Sequence, residues 1–247
     1  MSGVFWNIVQ HVLCGILILI IMFCCATTGV SVFVPQSFKY GIDLMNMDLD
    51  TGDLLVSEGS YCRTIHPGHL ALVIRHPKYN QLLVFSHDTQ SKQHVLIPLS
   101  TYIHHNQLFN QVYALRLQSN SNHQSPRPTF QQIQKIYLSK SSVAYNYHSI
   151  LIYVHMILHE FLGLPSVVHL LQIIVPSSSQ TRFYCADVVI HIMIALNILH
   201  PDILTSFTHH GLFLPKLISH NLSAFNNYML HDWYYENPVP VIVKSRP

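Results

Sequence analysis

Charge is what this chain has least of. Only 10% of its 247 residues are Asp, Glu, Lys or Arg, against about a quarter in an ordinary globular protein. Lys and Arg form no cluster, and the formal net charge is +2. Both facts argue against a nucleic-acid surface. The five cysteines include no CxxC pair, so a zinc site built on thiolates is not expected. Cys14, Cys24 and Cys25 fall inside one apolar run, which leaves only Cys62 and Cys185 and no spaced disulfide framework. Internal repeats and low-complexity tracts are also missing.

Histidine replaces part of the missing polarity, with 19 copies, while 49% of the chain is hydrophobic. The length suits one domain of ordinary size with an appendage. That appendage is visible at the start. Val12–Val34 carries no charged side chain, and at ~1.5 Å per residue it can cross a bilayer core of roughly 30 Å. The competing reading is a secretory signal cleaved near Ala26. However, no Lys or Arg precedes the run, and it exceeds the ~7–15 residues of a signal core. The sequence therefore divides into a membrane anchor (1–35), a polar linker (36–50) and a folded domain (51–247). The expected location is the membrane, single-pass through the N-terminal helix, with secretion after cleavage as the alternative.

Within the domain, Thr51-Gly52-Asp53 reads as a turn into a strand at Leu54–Val56. Leu70–Ile74 is a continuous apolar run between Pro67-Gly68 and His76-Pro77, the pattern of a strand buried on both faces. Lys78–Asn80 turns the chain into Gln81–Phe85, giving a hairpin. Further strands are expected at His94–Ile97 and Gln111–Leu117, for an antiparallel sheet of about five. Ser119–Pro128 is a polar loop. Helices are expected at Phe130–Ser139, Ser149–Leu162, Val167–Ile174 and Tyr184–Leu199. The proline-bearing C-terminal tail reads as irregular packing, and His104-His105 and His209-His210 as loop residues. The fold class is α+β.

Two short stretches carry the chemistry. Cys185, in Phe183-Tyr184-Cys185-Ala186-Asp187, falls in the first turn of an apolar helix. Free N–H groups and the positive end of the helix dipole there favour thiolate over thiol, and can hold an oxyanion. His69 stands at the mouth of the Leu70–Ile74 strand, a position from which an imidazole can face that helix start as a base. A third polar group should orient the imidazole. Ser86 and His87 lie at the end of the next hairpin strand and face opposite ways, with Asp88 following. Taken singly, a cysteine in an apolar segment is more often a small buried hydrophobe, and any one histidine among so many carries little weight. The order of the surrounding elements changes that.

That order, Gly52-Asp53-Leu54-Leu55, then His69-Leu70-Ala71-Leu72-Val73-Ile74, then Leu83-Val84-Phe85-Ser86-His87, Ile97-Pro98-Leu99-Ser100-Thr101-Tyr102-Ile103, Tyr145-Asn146-Tyr147 and Tyr184-Cys185-Ala186-Asp187-Val188, resembles the circularly permuted NlpC-like papain-fold amidases of the YiiX/YaeF group. Relatives of that group include the lecithin:retinol acyltransferases. The resemblance covers roughly residues 50 to 200. It implies a permuted papain-like fold with Cys185 as nucleophile, His69 as base and no cofactor. The third role falls to Ser86 or His87, where the family usually has a glutamate or another polar group. Ala186 and Asp187 stand where the family has Ser and Glu. The expected activity is a thiol hydrolase or acyltransferase acting on an amide or ester of peptide or lipid character, with the bilayer as a partner.

Two other readings remain. The chain can be an inactive copy serving as a membrane-anchored structural or interaction protein. Alternatively, His155 and His159, four apart on a helix beside Glu160, can hold a metal. That pair lacks the HExxH order and a third ligand. Asn221-Leu222-Ser223 matches a glycosylation acceptor if the domain is luminal.

Overall fold

A computed structural model describes residues 42–58, 69–88, 93–105, 111–120, 126–140, 144–145, 182–183, 185–207 and 215–242. The described part is α+β. Its main sheet contains β2 (Leu54–Glu58), β3 (His69–His76), β4 (Gln81–Asp88), β5 (Gln93–Pro98), β6 (Gln111–Leu115) and β11 (Val239–Ile242), all antiparallel, in the order β11-β6-β2-β3-β4-β5. A two-residue strand, β1 (Ile42–Asp43), adds to β11 in parallel. The five strands expected from the sequence are all present, and the sheet is wider than expected.

The extra width comes from the tail, which is less irregular than its prolines suggest. β10 (Trp233–Tyr235) pairs with β7 (Leu117–Ser119), and β11 closes onto β6. The expected strand Gln111–Leu117 is therefore two strands broken at Arg116. Residues 42–50, which read as linker, carry β1 and a 3-10 turn at Leu44–Asn46, and they bury Leu44 and Leu49 completely. Arg75 ties this segment to the β3–β4 hairpin. Its guanidinium donates to the Asp50 carboxylate, the Leu49 carbonyl and the Asn80 side chain.

Helices cover both faces of the sheet. α1 (Leu99–His105) packs on one, burying Leu99, Tyr102 and Ile103 against Leu55, Ala71, Val73, Val84, Val112 and Ala114. His104 and His105 are thus the last turn of a helix and not loop residues. On the other face lie α2 (Phe130–Lys140), α3 (Cys185–Ala195), α4 (Ile203–Ser206), α5 (Pro215–His220) and α6 (Leu222–Asn226). They bury Leu54, Val56, Leu70, Leu72, Ile74 and Phe85. A strand covered on both sides has no polar face, which is why Leu70–Ile74 is apolar throughout.

α3 is rich in Val and Ile, residues of modest helix propensity, so tertiary burial holds it. Ala186, Val188, Val189, Ile190, Ile192 and Met193 are at most 1% exposed. Its end is marked by Asn197 at φ 58°, with the Ile198 amide reaching back to the Met193 carbonyl at 3.0 Å. Such a left-handed stop ends many helices.

Among the described residues, Gly52 is a position where the backbone itself demands glycine. Its φ is +99°, and a Cβ there would lie 2.7 Å from Leu117 Cδ2. Gly52→Ala is expected to cost about 1–3 kcal/mol, read as a lower midpoint in thermal unfolding followed by circular dichroism. An unchanged midpoint would show that this turn relaxes freely.

Among the described residues no helix is long and apolar enough to cross a membrane. The Val12–Val34 run, the helices expected at Ser149–Leu162 and Val167–Ile174, and the pairs His155/His159 and His209/His210 all lie outside the described residues.

Candidate functional site

His69 is the first residue of β3, with Ser57 of β2 directly across from it. Its ring is half-buried and lies on the α1 side of the sheet. There the Tyr102 ring stacks beside it, with centroids 6.4 Å apart and planes 26° apart. Tyr102 is completely buried, and its hydroxyl shares a 3.1 Å hydrogen bond with the hydroxyl of Ser57, also completely buried. The three residues come from separate elements. β2 and β3 contribute Ser57 and His69 as a cross-strand pair, and α1 lowers Tyr102 onto them.

The backbone of Cys185 is the first residue of α3, as expected, with Asp187 in the same first turn. A carboxylate there suits the positive end of the helix. Just before it, β9 (Arg182–Phe183) pairs in parallel with β8 (Ala144–Tyr145). This brings the Tyr145 step next to the approach to the cysteine helix. α3 packs directly on β3. Its C-terminal half is anchored where Met193 Sδ lies 3.9 Å from the Tyr235 hydroxyl, which donates to the Gly52 carbonyl at 2.8 Å. Gly52 stands at one end of the β2–β3 pair, while Ser57 and His69 stand at the other. Cys185 opens the helix about 12 Å before Met193 at 1.5 Å per residue.

The faces differ, however. The body of α3 sits on the side of Leu70, Leu72 and Ile74, whereas the His69 ring is on the side of Ala71, Val73 and Tyr102. A thiol–imidazole pair must therefore form around the end of β3 and not across one flat face. His69 is the first residue of that strand.

Ser86 and His87 lie in β4, opposite Val95 and His94 of β5. The register between β3 and β4 runs from His76↔Gln81 to Leu72↔Phe85, so both stand beyond its last pair, toward the His69 end. The expected neighbourhood of strands holds. Among the described residues, no group of three His, Cys, Asp or Glu is arranged to hold a metal ion.

One buried polar cluster had no clear signal in the sequence. Asp53 is completely buried, and its carboxylate accepts from the Leu117 amide at 2.9 Å, the Asp50 amide at 2.8 Å and Arg127 Nη1 at 2.9 Å. Arg127 also donates to the Thr51 and Leu117 carbonyls. Burial pushes the Asp53 carboxyl above its usual range, and the two amides and the Arg127 charge pull it back. Burial, followed by the Asp53 charge, drives the Tyr235 hydroxyl well above its usual value, with Arg127 opposing. Tyr235 is therefore a permanent donor to Gly52. The Gly52-Asp53 step was legible as a turn, but Arg127 sits in the polar Ser119–Pro128 loop and shows no periodic pattern. This cluster fixes the start of β2, and so the strand against which His69 is aligned.

Compared with the models of known protein families and with curated proteins, the sequence matches none.

Proposed function

We propose that this chain is a thiol hydrolase or acyltransferase of circularly permuted papain-like fold, acting on an amide or ester bond of a peptide or lipid-like substrate. The observation that carries the reading is that the helix opened by Cys185 packs on the strand opened by His69. In this mechanism the Cys185 thiolate attacks the carbonyl carbon. The oxyanion draws on backbone N–H groups of the first turn of α3. The His69 imidazolium gives its proton to the departing nitrogen or oxygen, leaving a thioester on Cys185. His69 then takes a proton from water or a second nucleophile, which attacks the thioester, releases the acyl group and restores the thiolate–imidazolium pair. Ser86 or His87 is the proposed orienting group.

The direct test is site-resolved labelling by a thiol-reactive probe at pH 6–7, the window in which activated cysteines ionise. Modification of Cys185 with little at Cys62 is the expected result. Equal, slow labelling of both would remove the activated thiol.

A second reading draws on the faces of the sheet. The His69 ring rests on Tyr102, on the side away from the body of α3. If the imidazole on that face never reaches the thiol around the end of β3, the chain is a catalytically inactive copy acting as a membrane-anchored interaction protein, and in that case Cys185 should label no faster than a free thiol.

The proposed location is the membrane, through Val12–Val34. The full chain is expected to sediment with membranes and to resist alkaline extraction, and removal of residues 1–35 should release the domain. A mature N-terminus near Thr27 would replace the anchor with a cleaved signal.

A further inference from the structure

We propose that Tyr102 is a positioning residue for His69, its ring the seat against which the imidazole rests and its hydroxyl tied to Ser57 so that the seat cannot turn. The role rests on the thiol-enzyme reading above, but the contact itself does not. Four observations support it. The two rings are nearly parallel, at 26° and 6.4 Å between centroids, within the range of offset stacking. Tyr102 and Ser57 are both at 0% exposure, so neither hydroxyl is held for solvent contact. Their 3.1 Å hydrogen bond joins a helix to a strand 45 residues away in sequence. Finally, Ser57 is the cross-strand partner of His69 itself, so the tie is anchored to the backbone that carries the imidazole.

The physical need is clear. His69 is the first residue of β3 and its ring is half-buried, so the side chains packed against it set the direction of the imidazole. A base must hold its ring within a fraction of an ångström of one direction, since small misplacements cost large factors in rate. A phenol locked at its far end supplies a flat wall that allows the imidazole to slide little and tilt less. A buried phenylalanine would supply the wall without the lock. A leucine would supply neither.

The test combines a spectroscopic signature with a rate. In the wild-type chain, the ring protons of His69 should show the upfield ring-current displacement of a stacked neighbour and cross-relaxation to the Tyr102 ring. Tyr102→Leu is expected to abolish both and to slow alkylation of Cys185 at pH 7 by about tenfold. Tyr102→Phe should restore the ring-current signature and most of the rate. Should Tyr102→Leu fail to fold, Ser57→Ala cuts the tie and leaves the ring, as Tyr102→Phe does, with an expected loss of about two- to threefold in the alkylation rate. A wild-type rate in Ser57→Ala and Tyr102→Leu, while His69→Ala is slow, overturns the positioning role and leaves the enzyme reading intact. A wild-type rate in His69→Ala overturns both. Absence of the ring-current signature in the wild-type chain removes the seat itself.

Discussion

His69→Ala is expected to raise the pH midpoint for alkylation of Cys185 from the pH 6–7 window toward the ~8.5 of a free thiol. The argument is electrostatic. A helix start and a nearby imidazolium each favour the thiolate, and removing the cation leaves only the helix start. At pH 7 the thiolate fraction then falls from a majority to a few per cent, and the alkylation rate falls with it by roughly ten- to thirtyfold. Cys185→Ser should abolish turnover of any acyl substrate, because a serine hydroxyl has no comparable acidity and no base tuned to it. The rate should be read at Cys185 by peptide mass analysis, so that Cys62 serves as the internal control. An unchanged profile in His69→Ala, with Cys185 accessible, separates the two residues and leaves the inactive-copy reading.

The largest effect on stability is expected at Arg127. Its guanidinium is the charge partner of a completely buried carboxylate and also binds two carbonyls of the same corner. Arg127→Leu leaves Asp53 buried without its cation, a change that typically costs about 3–5 kcal/mol. The pH dependence gives the mechanism away. Burial raises the folded-state pKa of Asp53 above its usual 3.8, so its proton is held more tightly in the folded chain than in the unfolded one. Its contribution to stability is therefore complete below the usual value and is lost as pH rises through the raised one. Removing Arg127 removes one of the influences opposing that rise, so the deficit of the variant should be largest near pH 7 and shrink as pH falls toward 4. Chemical denaturation of the chain lacking residues 1–35 at pH 7, 5.5 and 4 checks this. A deficit independent of pH would assign the loss to the carbonyl hydrogen bonds and not to the charge.

The sheet was legible where the local pattern and the tertiary environment agree. Leu70–Ile74 is apolar throughout because both faces are covered, and Lys78–Asn80 turns the chain with Asn80 at φ 48°. Cys185 at a helix start was readable from the abrupt change between Arg182 and the Val/Ile run. The tail was not legible. Prolines at 238 and 240 argue against a strand, yet Pro240 pairs with Tyr113 of β6 in β11, a short strand that lies toward one side of the sheet. Near a sheet edge a residue without an amide donor is tolerated. Residues 42–50 read as linker because Asp43, Asp48 and Asp50 dominate them, but the two leucines between those acids are what the fold buries. In the site, alternation could separate Ser86 from His87 but could not choose the face taken by His69. That depends on α1, which brings Tyr102 in from the far side, a long-range contact with no local signature.

The pairing of Cys185 with His69 is tested most directly from the histidine. If the thiolate favours the imidazolium, the imidazolium favours the thiolate equally, so the His69 ring must titrate at a different pH when the sulfur is gone. Isotope-labelled His69, followed by NMR through pH 4–9 in the wild-type chain and in Cys185→Ser, reads this coupling without any substrate. A midpoint that drops by about one pH unit or more in Cys185→Ser is the predicted result. Superimposable titrations in the two proteins would contradict it, showing that the imidazole answers to Tyr102 and its surroundings and not to the thiol.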